Sequence, residues 1–325
     1  MTAFLAKAGW GAAERRHLAG DASDRRYERL HAPDGASAVL MDNPPGGADD
    51  PVAFARIAGH LRSLGLSAPA VLAADLDRGF LLLEDLGDDL YARLLDAEPA
   101  REAELYAEAV DVLLRVQSAP VPPGLPNLSA EDWAEAATLA LDCYAHAATG
   151  QRRAAEPFRA SLARAMRRHA DGPRVLILRD YHAQNLLWLP DRDGLGRVGL
   201  LDFQLAQSGQ PGYDLMSLVQ DARRDVDAAT EAAMIARFAR ALGADPEPFS
   251  AHCATLGAQR ALRILGVFAR LAQVAGKPQY LPLIPRVWGQ LQRNLAHPEL
   301  AELAEVCARV LPAPSPDLLQ RLAPS

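Results

Sequence analysis

Lysine is almost absent from this chain. Lys7 and Lys277 are the only two in 325 residues, so nearly all positive charge is carried by arginine. Any step that calls for a flexible ammonium point charge must be met instead by a guanidinium, a planar fork suited to carboxylate and phosphate. Cysteine is scarce as well: Cys143, Cys253 and Cys307 are odd in number, far apart and without a CxxC spacing. That excludes a disulfide framework or a thiolate zinc site as the organising feature and leaves thiols suited to burial in a reducing compartment. No stretch approaches the roughly 18 consecutive apolar residues of a membrane span. The opening MTAFLAKAGWGAAERRHLAG also lacks the continuous apolar segment of a secretory signal, so a cytoplasmic protein without membrane contact is expected. Clustered basic residues are missing too, and the formal net charge is -7. Nucleic acid is excluded as a partner, because phosphate neutralisation needs concentrated positive charge.

What is present is the balance of a globular protein: half the residues are hydrophobic and 23% are charged. The length suits one large domain or two lobes around a shared cleft, and a monomer is expected. From Arg15 to about Leu86 the pattern is mixed. RYERLHAP and SAVLMD read as strands joined by the turn APDG; DPVAFARIAGHLRSLG reads as a helix with Pro51 in its first turn and Gly65 beyond its end; AVLAADL and GFLLLEDLG read as two further strands. After Gly87 helices dominate. Leu105, Ala109, Val112, Leu113 and Val116 fall at offsets of four, seven, eight and eleven, an apolar helical stripe. Ser129 is placed to cap a helix through AEDWAEAATLALDCYAHAA. Short β segments, RVLIL, NLLWL and VGLLDF, then interrupt the helical region before helices resume at Tyr213. The expected fold class is α+β, with a small β-rich lobe over residues 1–86 and a larger mainly helical lobe over 87–325 carrying an embedded hairpin.

The chemistry-bearing signal lies in that interruption. LILRDYHAQNLLWL runs from Leu176 to Leu189 and GLLDF from Gly199 to Phe203, so Asp180, Asn185 and Asp202 sit at the edges of apolar runs. Each is explicable alone as a turn or cap residue. As an ordered set, D-x4-N and then an Asp-Phe seventeen residues on, they match what phosphoryl transfer requires: one carboxylate to orient and deprotonate the attacking hydroxyl, and hard oxygen ligands to hold Mg²⁺ on nucleotide phosphates. Asp180 is then the expected base, with Asn185 and Asp202 the expected metal ligands.

On these residues the chain resembles the aminoglycoside phosphotransferase and choline kinase superfamily, whose fold is the two-lobed protein-kinase-like one. The resemblance runs from about Gly20 to Asp214. LRDYHAQN matches that family's H-G-D-x-H-x-x-N loop with Asp180, His182 and Asn185 in register, LLDFQLA matches the metal-binding loop, and GYDL matches the segment whose aspartate, here Asp214, braces the catalytic loop. FLLLEDLGD matches the hinge, which implies that backbone groups at Glu84, Asp85 and Leu86 take the adenine edge of ATP. Leu178 replaces the family's first histidine. Met41 occupies the usual place of the phosphate-pairing lysine, and the helix Pro51 to Leu64 holds no glutamate, so both members of the usual ion pair are missing. Arginine is the remaining cation. Arg25 and Arg26 in GDASDRRY, with Ser23 and the backbone N–H groups of Ala22 to Asp24, are the expected phosphate binders, an ordinary hairpin turn with surface arginines being the other reading.

GDASDRRYERL followed by VLMDNPPG, together with RGFLLLEDLGDDLYARLL and LALDCYAHA, is similar to one branch of these enzymes, the cell-wall-recycling kinases that phosphorylate the anomeric hydroxyl of N-acetylmuramate and N-acetylglucosamine. Such an acceptor implies substrate contacts from Asp142, Tyr144, Arg179 and His182, with Tyr144 or Trp133 against the sugar ring. Two other functions remain open on the sequence: a kinase for an aminoglycoside or choline-like amine, favoured by the negative charge, and a nucleotide-binding pseudokinase scaffold, suggested by Met41.

Overall fold

The computed structural model describes residues 1–18, 25–44 and 50–323. In chain order the first elements are α1 (Thr2–Lys7), β1 (Glu14–His17), β2 (Arg26–His31), β3 (Ser37–Asp42), α2 (Pro51–Ser63), β4 (Val71–Asp75), β5 (Phe80–Glu84), α3 (Tyr91–Ala97) and α4 (Glu102–Gln117). Then come α5 (Ala130–Ala136), α6 (His146–Thr149), α7 (Ala155–His169) and the short strands β6 (Val175–Ile177), β7 (Leu186–Trp188), β8 (Val198–Leu200) and β9 (Gln207–Gly209). The chain ends in α8 (Tyr213–Val219), α9 (Ala228–Leu242), α10 (Pro246–Gln273), α11 (Ile284–Leu295), α12 (Ala301–Val310) and α13 (Pro316–Leu322). It divides into two compact units. The first is Met1–Pro123 with Leu178–Gln207; the second is Gly124–Ile177 with Ser208–Ser325. No helix of the described residues is long and apolar enough to cross a membrane.

In the first unit five strands among the described residues form one antiparallel sheet in the order β1-β2-β3-β5-β4. The sequence reading anticipates four of them. β1 escapes it because Glu14, Arg15, Arg16 and His17 are all exposed, so an edge strand of this kind carries no alternation to detect. The two-residue strand period sorts the rest. Ala38, Leu40, Phe80 and Leu82 face one side and pack with Leu30 against Phe4 and Leu5 of α1, where Phe4 and Phe80 stack at 5.8 Å. Val39, Met41, Leu81 and Leu83 fall on the other face, with Val39 opposite Leu83 and Met41 opposite Leu81. α2 starts as its sequence dictates, with Asp50 accepting from Val52 N–H and Pro51 at the first helical position. In α4 the stripe Leu105, Ala109, Val112, Leu113 and Val116 is fully buried.

In the second unit Ser129 caps α5 through a reciprocal capping box with Asp132. The single helix expected over AEDWAEAATLALDCYAHAA is not continuous: a π-helical turn, Ala140–Ala145, separates α5 from α6. Its cause lies in the packing. Gly266 of α10 meets the backbone of Leu139 so closely that a Cβ there would stand 2.3 Å from the Leu139 carbonyl carbon, and just beyond this contact the Thr138 carbonyl accepts from both Leu141 and Asp142. Cys253 and Cys307 are buried free thiols, as expected, and burial pushes Cys307 up to about 12; Cys143 is half-buried. β6 pairs with β9, a strand the sequence reading does not anticipate.

Two outcomes follow from this packing. Gly266→Ala drives a methyl into backbone that cannot rotate aside, and chemical denaturation should find it less stable by about 1–3 kcal/mol. His252 accepts from Gly212 N–H at Nε2 (3.3 Å) and places Nδ1 2.9 Å from the His169 carbonyl, an arrangement that fits the neutral ring protonated on Nδ1. Burial holds this imidazole below the ordinary histidine value of 6.5, against the opposing effect of the His169 carbonyl. Below about 6.5 the unfolded chain therefore binds the proton first, and stability should fall as pH drops until the folded-state value is passed. Melting curves from pH 7.5 to 5 should show that slope, flattened in His252→Gln.

Candidate active site

Register brings the distant residues together. β7 and β8 pair antiparallel, with Leu186 opposite Leu200, Leu187 opposite Gly199 and Trp188 opposite Val198. The residues just before β7 and just after β8 must then be neighbours. Leu201 N–H donates to the Asn185 carbonyl at 3.0 Å, which sets Asn185 and Asp202 at one end of the hairpin. The loop carrying Asp180 is anchored by Tyr181, whose hydroxyl donates to the Ala109 carbonyl of α4 at 2.8 Å. Within the loop, Asn185 N–H donates to the His182 carbonyl (2.8 Å) and Asn185 Nδ2 donates to the Asp180 carbonyl (2.9 Å). His182 is buried with Nε2 3.4 Å from Asn185 Nδ2, so its position is that of a loop brace. Phe203 is fully buried and stacks on Phe54 of α2 at 4.9 Å, locking the second loop from below.

Arg179 and Asp202 have φ values of 78° and 56°, and among the described residues they are the two non-glycine positions in the left-handed region. Such a backbone disfavours a Cβ by roughly 1–2 kcal/mol. Both lie in the two loops at issue, one preceding the expected base and the other being an expected metal ligand. Arg179 is steadied by donating to Gln207 Oε1 at 2.6 Å.

A cavity of about 350 Å³ opens in this unit. Val39, Leu83, Phe54, Leu86, Leu187 and Leu201 give it apolar walls, while Arg25, Asn185 and Asp202 supply polar groups. Slab-like apolar walls with a few convergent polar groups are the usual form of a small-molecule site. Arg25 donates through Nη2 to Asp202 Oδ1 at 2.7 Å and through Nη1 to the Tyr27 hydroxyl at 3.1 Å. Gln204 Nε2 donates to the same Asp202 oxygen at 3.0 Å. Among the described residues no protein donor is directed at Asp202 Oδ2 or Asn185 Oδ1. Asn185 and Asp202 both line this cavity, and amide and carboxylate oxygens are the donor type that a magnesium ion takes.

At the strand end entering the hinge, the expected roles divide. Glu84 is committed to structure: its N–H donates to the Ala70 carbonyl, and its carboxylate accepts from Arg192 (2.6 Å), Arg62 (3.2 Å) and Ala70 N–H (3.1 Å). Asp85 accepts from Gly87 N–H and pairs with Arg29, which also binds Asp88 and holds that carboxyl below the usual carboxylate range. Among the described residues the backbone N–H and C=O groups of Asp85 and Leu86 make no backbone hydrogen bond, whereas Glu84 N–H is taken by Ala70. Arg26 is exposed on β2 opposite Asp42 and does not line the cavity. Ser23, with the proposed backbone nest at 22–24, lies outside the described residues. Met41 is buried in β3, so an apolar side chain does fill the place where a lysine would stand.

The expected sugar-facing aromatics are corrected by their burial in the second unit. Tyr144 has no exposed surface, its hydroxyl donates to the Pro312 carbonyl at 2.8 Å, and its pKa is raised by burial. Trp133 is likewise buried, 4.9 Å from the Tyr213 ring. Both are core residues whose helical spacing from Asp142 mimics a ligand-facing set. Asp142 itself is exposed, and Asp214 is fully buried in α8. The sequence reading missed Tyr27 and gave Gln204 no role; the signal for the first was its place two residues beyond Arg25.

Comparison with known proteins gives the family. Residues 14–252 match the phosphotransferase enzyme family. An N-acetylmuramate/N-acetylglucosamine kinase of Caulobacter vibrioides is 41% identical over 95% of each chain, and one of Pseudomonas aeruginosa is 34% identical over 94% of this chain and 91% of the relative. Among solved structures, a choline/ethanolamine kinase family protein from Mesorhizobium loti superposes with a TM-score of 0.61 at 16% identity, covering 94% of this chain and 99% of that one. A thermostable mutant of the aminoglycoside phosphotransferase APH(4)-Ia, in ternary complex with AMP-PNP and hygromycin B, gives 0.60 at 17% identity over 91% and 99%. These two establish the fold alone. With 239 of its residues matched end to end (252 − 14 + 1) and a relative this similar, the chain belongs to the phosphotransferase enzyme family.

Proposed function

We propose that the chain is an ATP-dependent kinase that phosphorylates the anomeric hydroxyl of N-acetylmuramate, N-acetylglucosamine or both, in peptidoglycan recycling. The observation that carries this is the cavity that Arg25, Asn185 and Asp202 line together with apolar residues; the names of relatives at 41% and 34% identity support the acceptor class. The functional boundary is taken at Leu86, with residues 1–86 binding nucleotide and 87–325 bearing the acceptor site. The enzyme acts as a cytoplasmic monomer on a free amino sugar, without nucleic acid or membrane.

The adenine lies between Val39, Leu83 and Leu201, with its edge against the Leu86 backbone. Arg25 receives the phosphates, with Ser23 kept as the further binder proposed from the sequence, a bidentate guanidinium taking the place of the ammonium that Met41 cannot supply. Asn185 Oδ1 and Asp202 Oδ2 would hold Mg²⁺, whose charge offsets that of the phosphates. Asp180 accepts the proton of the anomeric hydroxyl as its oxygen bonds to the γ-phosphorus and the bond to ADP breaks. An anomeric hydroxyl is more acidic than an ordinary alcohol, so a carboxylate suffices as base. Asn185 and His182 hold the loop that aims Asp180, while Asp142 and Arg179 remain the acceptor contacts proposed from the sequence.

ADP release should depend on N-acetylmuramate or N-acetylglucosamine and stay at background with an aminoglycoside, choline or homoserine. Phosphorus NMR should identify the product as a glycosyl phosphate. Asp180→Asn should lower turnover by about 10²–10⁴-fold with the KM for ATP little changed; full turnover by that variant would remove Asp180 as base, and equal turnover with an amine acceptor would remove the sugar assignment.

A further inference from the structure

We infer that Arg25 is the resident counter-ion of Asp202 in the nucleotide-free protein, and that it makes binding of a divalent metal conditional on nucleotide. This rests on Asp202 being a metal ligand, and the experiment below separates the two. Arg25 is 9% exposed and Asp202 36% exposed, with 2.7 Å between Nη2 and Oδ1. Gln204 Nε2 occupies the same oxygen at 3.0 Å. A free metal ion therefore meets a carboxylate that is already neutralised, one oxygen of which takes two donors, with a fixed positive charge beside it.

A guanidinium cannot relieve that repulsion by losing its proton; it has to move. Arg25 stands immediately before β2, and its second support, the Tyr27 hydroxyl at 3.1 Å with the guanidinium carbon 5.9 Å from the ring centre, belongs to β2 itself. The side chain is thus carried on the sheet while its target Asp202 sits at the end of the β7–β8 hairpin. Nucleotide phosphates bring the negative charge that both cations require. When they arrive, Arg25 can pass from carboxylate to phosphate, and Asp202 becomes available to the metal in the same event. A lysine at position 41 would stand apart from this exchange; Met41 removes that alternative, and one arginine serves both partners in turn.

Mn²⁺ titration of the full-length protein, followed by electron paramagnetic resonance, tests this without turnover. The wild-type chain should bind Mn²⁺ weakly alone and much more tightly with ADP. Arg25→Met should bind Mn²⁺ without nucleotide about tenfold more tightly than wild type, the shift expected from removing one charge-assisted hydrogen bond. Arg25→Lys, which keeps a cation and guards against a folding defect in the first variant, should shift in the same direction by less. Equal nucleotide-free affinities in all three proteins, with ADP-dependent binding intact, would overturn the counter-ion role and leave the metal site standing. Asp202→Asn binding Mn²⁺ with ADP as wild type does would instead overturn the metal assignment beneath it.

Discussion

The pairing of β7 with β8 is the constraint on which the site depends. Six residues in two short strands fix which groups meet at the hairpin's open end, and a single backbone hydrogen bond from Leu201 to Asn185 continues that register into the loops. Because strand side chains alternate, a slip of one residue would turn Asn185 or Asp202 away from its partner. The surroundings defend the register. A Cβ on Gly199 would come 2.9 Å from Leu187 Cβ, and Phe203 and Tyr181 pin the following and preceding loops to α2 and α4.

Charge is distributed around this frame with the same economy. Among the described residues the carboxylates that line the cavity are paired with arginine: Asp202 with Arg25, Asp85 and Asp88 with Arg29, and Glu84 with Arg192. The last two arginines brace, through the carboxylates, the hinge segment whose backbone the sequence reading assigns to the adenine edge. Planar forks suit such fixed pairings better than ammonium groups do, and a chain with two lysines has arranged the ion pairs of this cavity accordingly. The left-handed backbone at Arg179 and Asp202 indicates the same priority, since conformational strain is tolerated where the surrounding contacts over-determine the loop.

Much of this was legible in the sequence. The ordered Asp180, Asn185 and Asp202, the absence of both lysine at 41 and glutamate in α2, the apolar stripe of α4 and the caps at Pro51 and Ser129 all depend on local spacing and chemistry. What stayed hidden depends on tertiary context. β1 is charged throughout, so no period marks it. The π turn at Ala140–Ala145 follows from a contact with Gly266 more than a hundred residues away. Tyr144 and Trp133 fall in the stretch of sequence that reads as one helix with the exposed Asp142, and periodicity cannot distinguish an aromatic that faces a ligand from one that fills a core. Glu84 illustrates the same limit, because its partners Arg62 and Arg192 come from either side of it in sequence.

The central claim is that Asn185 and Asp202 present their oxygens to one magnesium ion beside the nucleotide phosphates. Crystals grown with Mn²⁺ and a non-hydrolysable ATP analogue, read by anomalous scattering, test it most directly. The metal should lie within about 2.0–2.3 Å of Asn185 Oδ1 and an oxygen of Asp202 and contact phosphate oxygens. A metal bound elsewhere, or a nucleotide whose phosphates point away from the hairpin end, would contradict it.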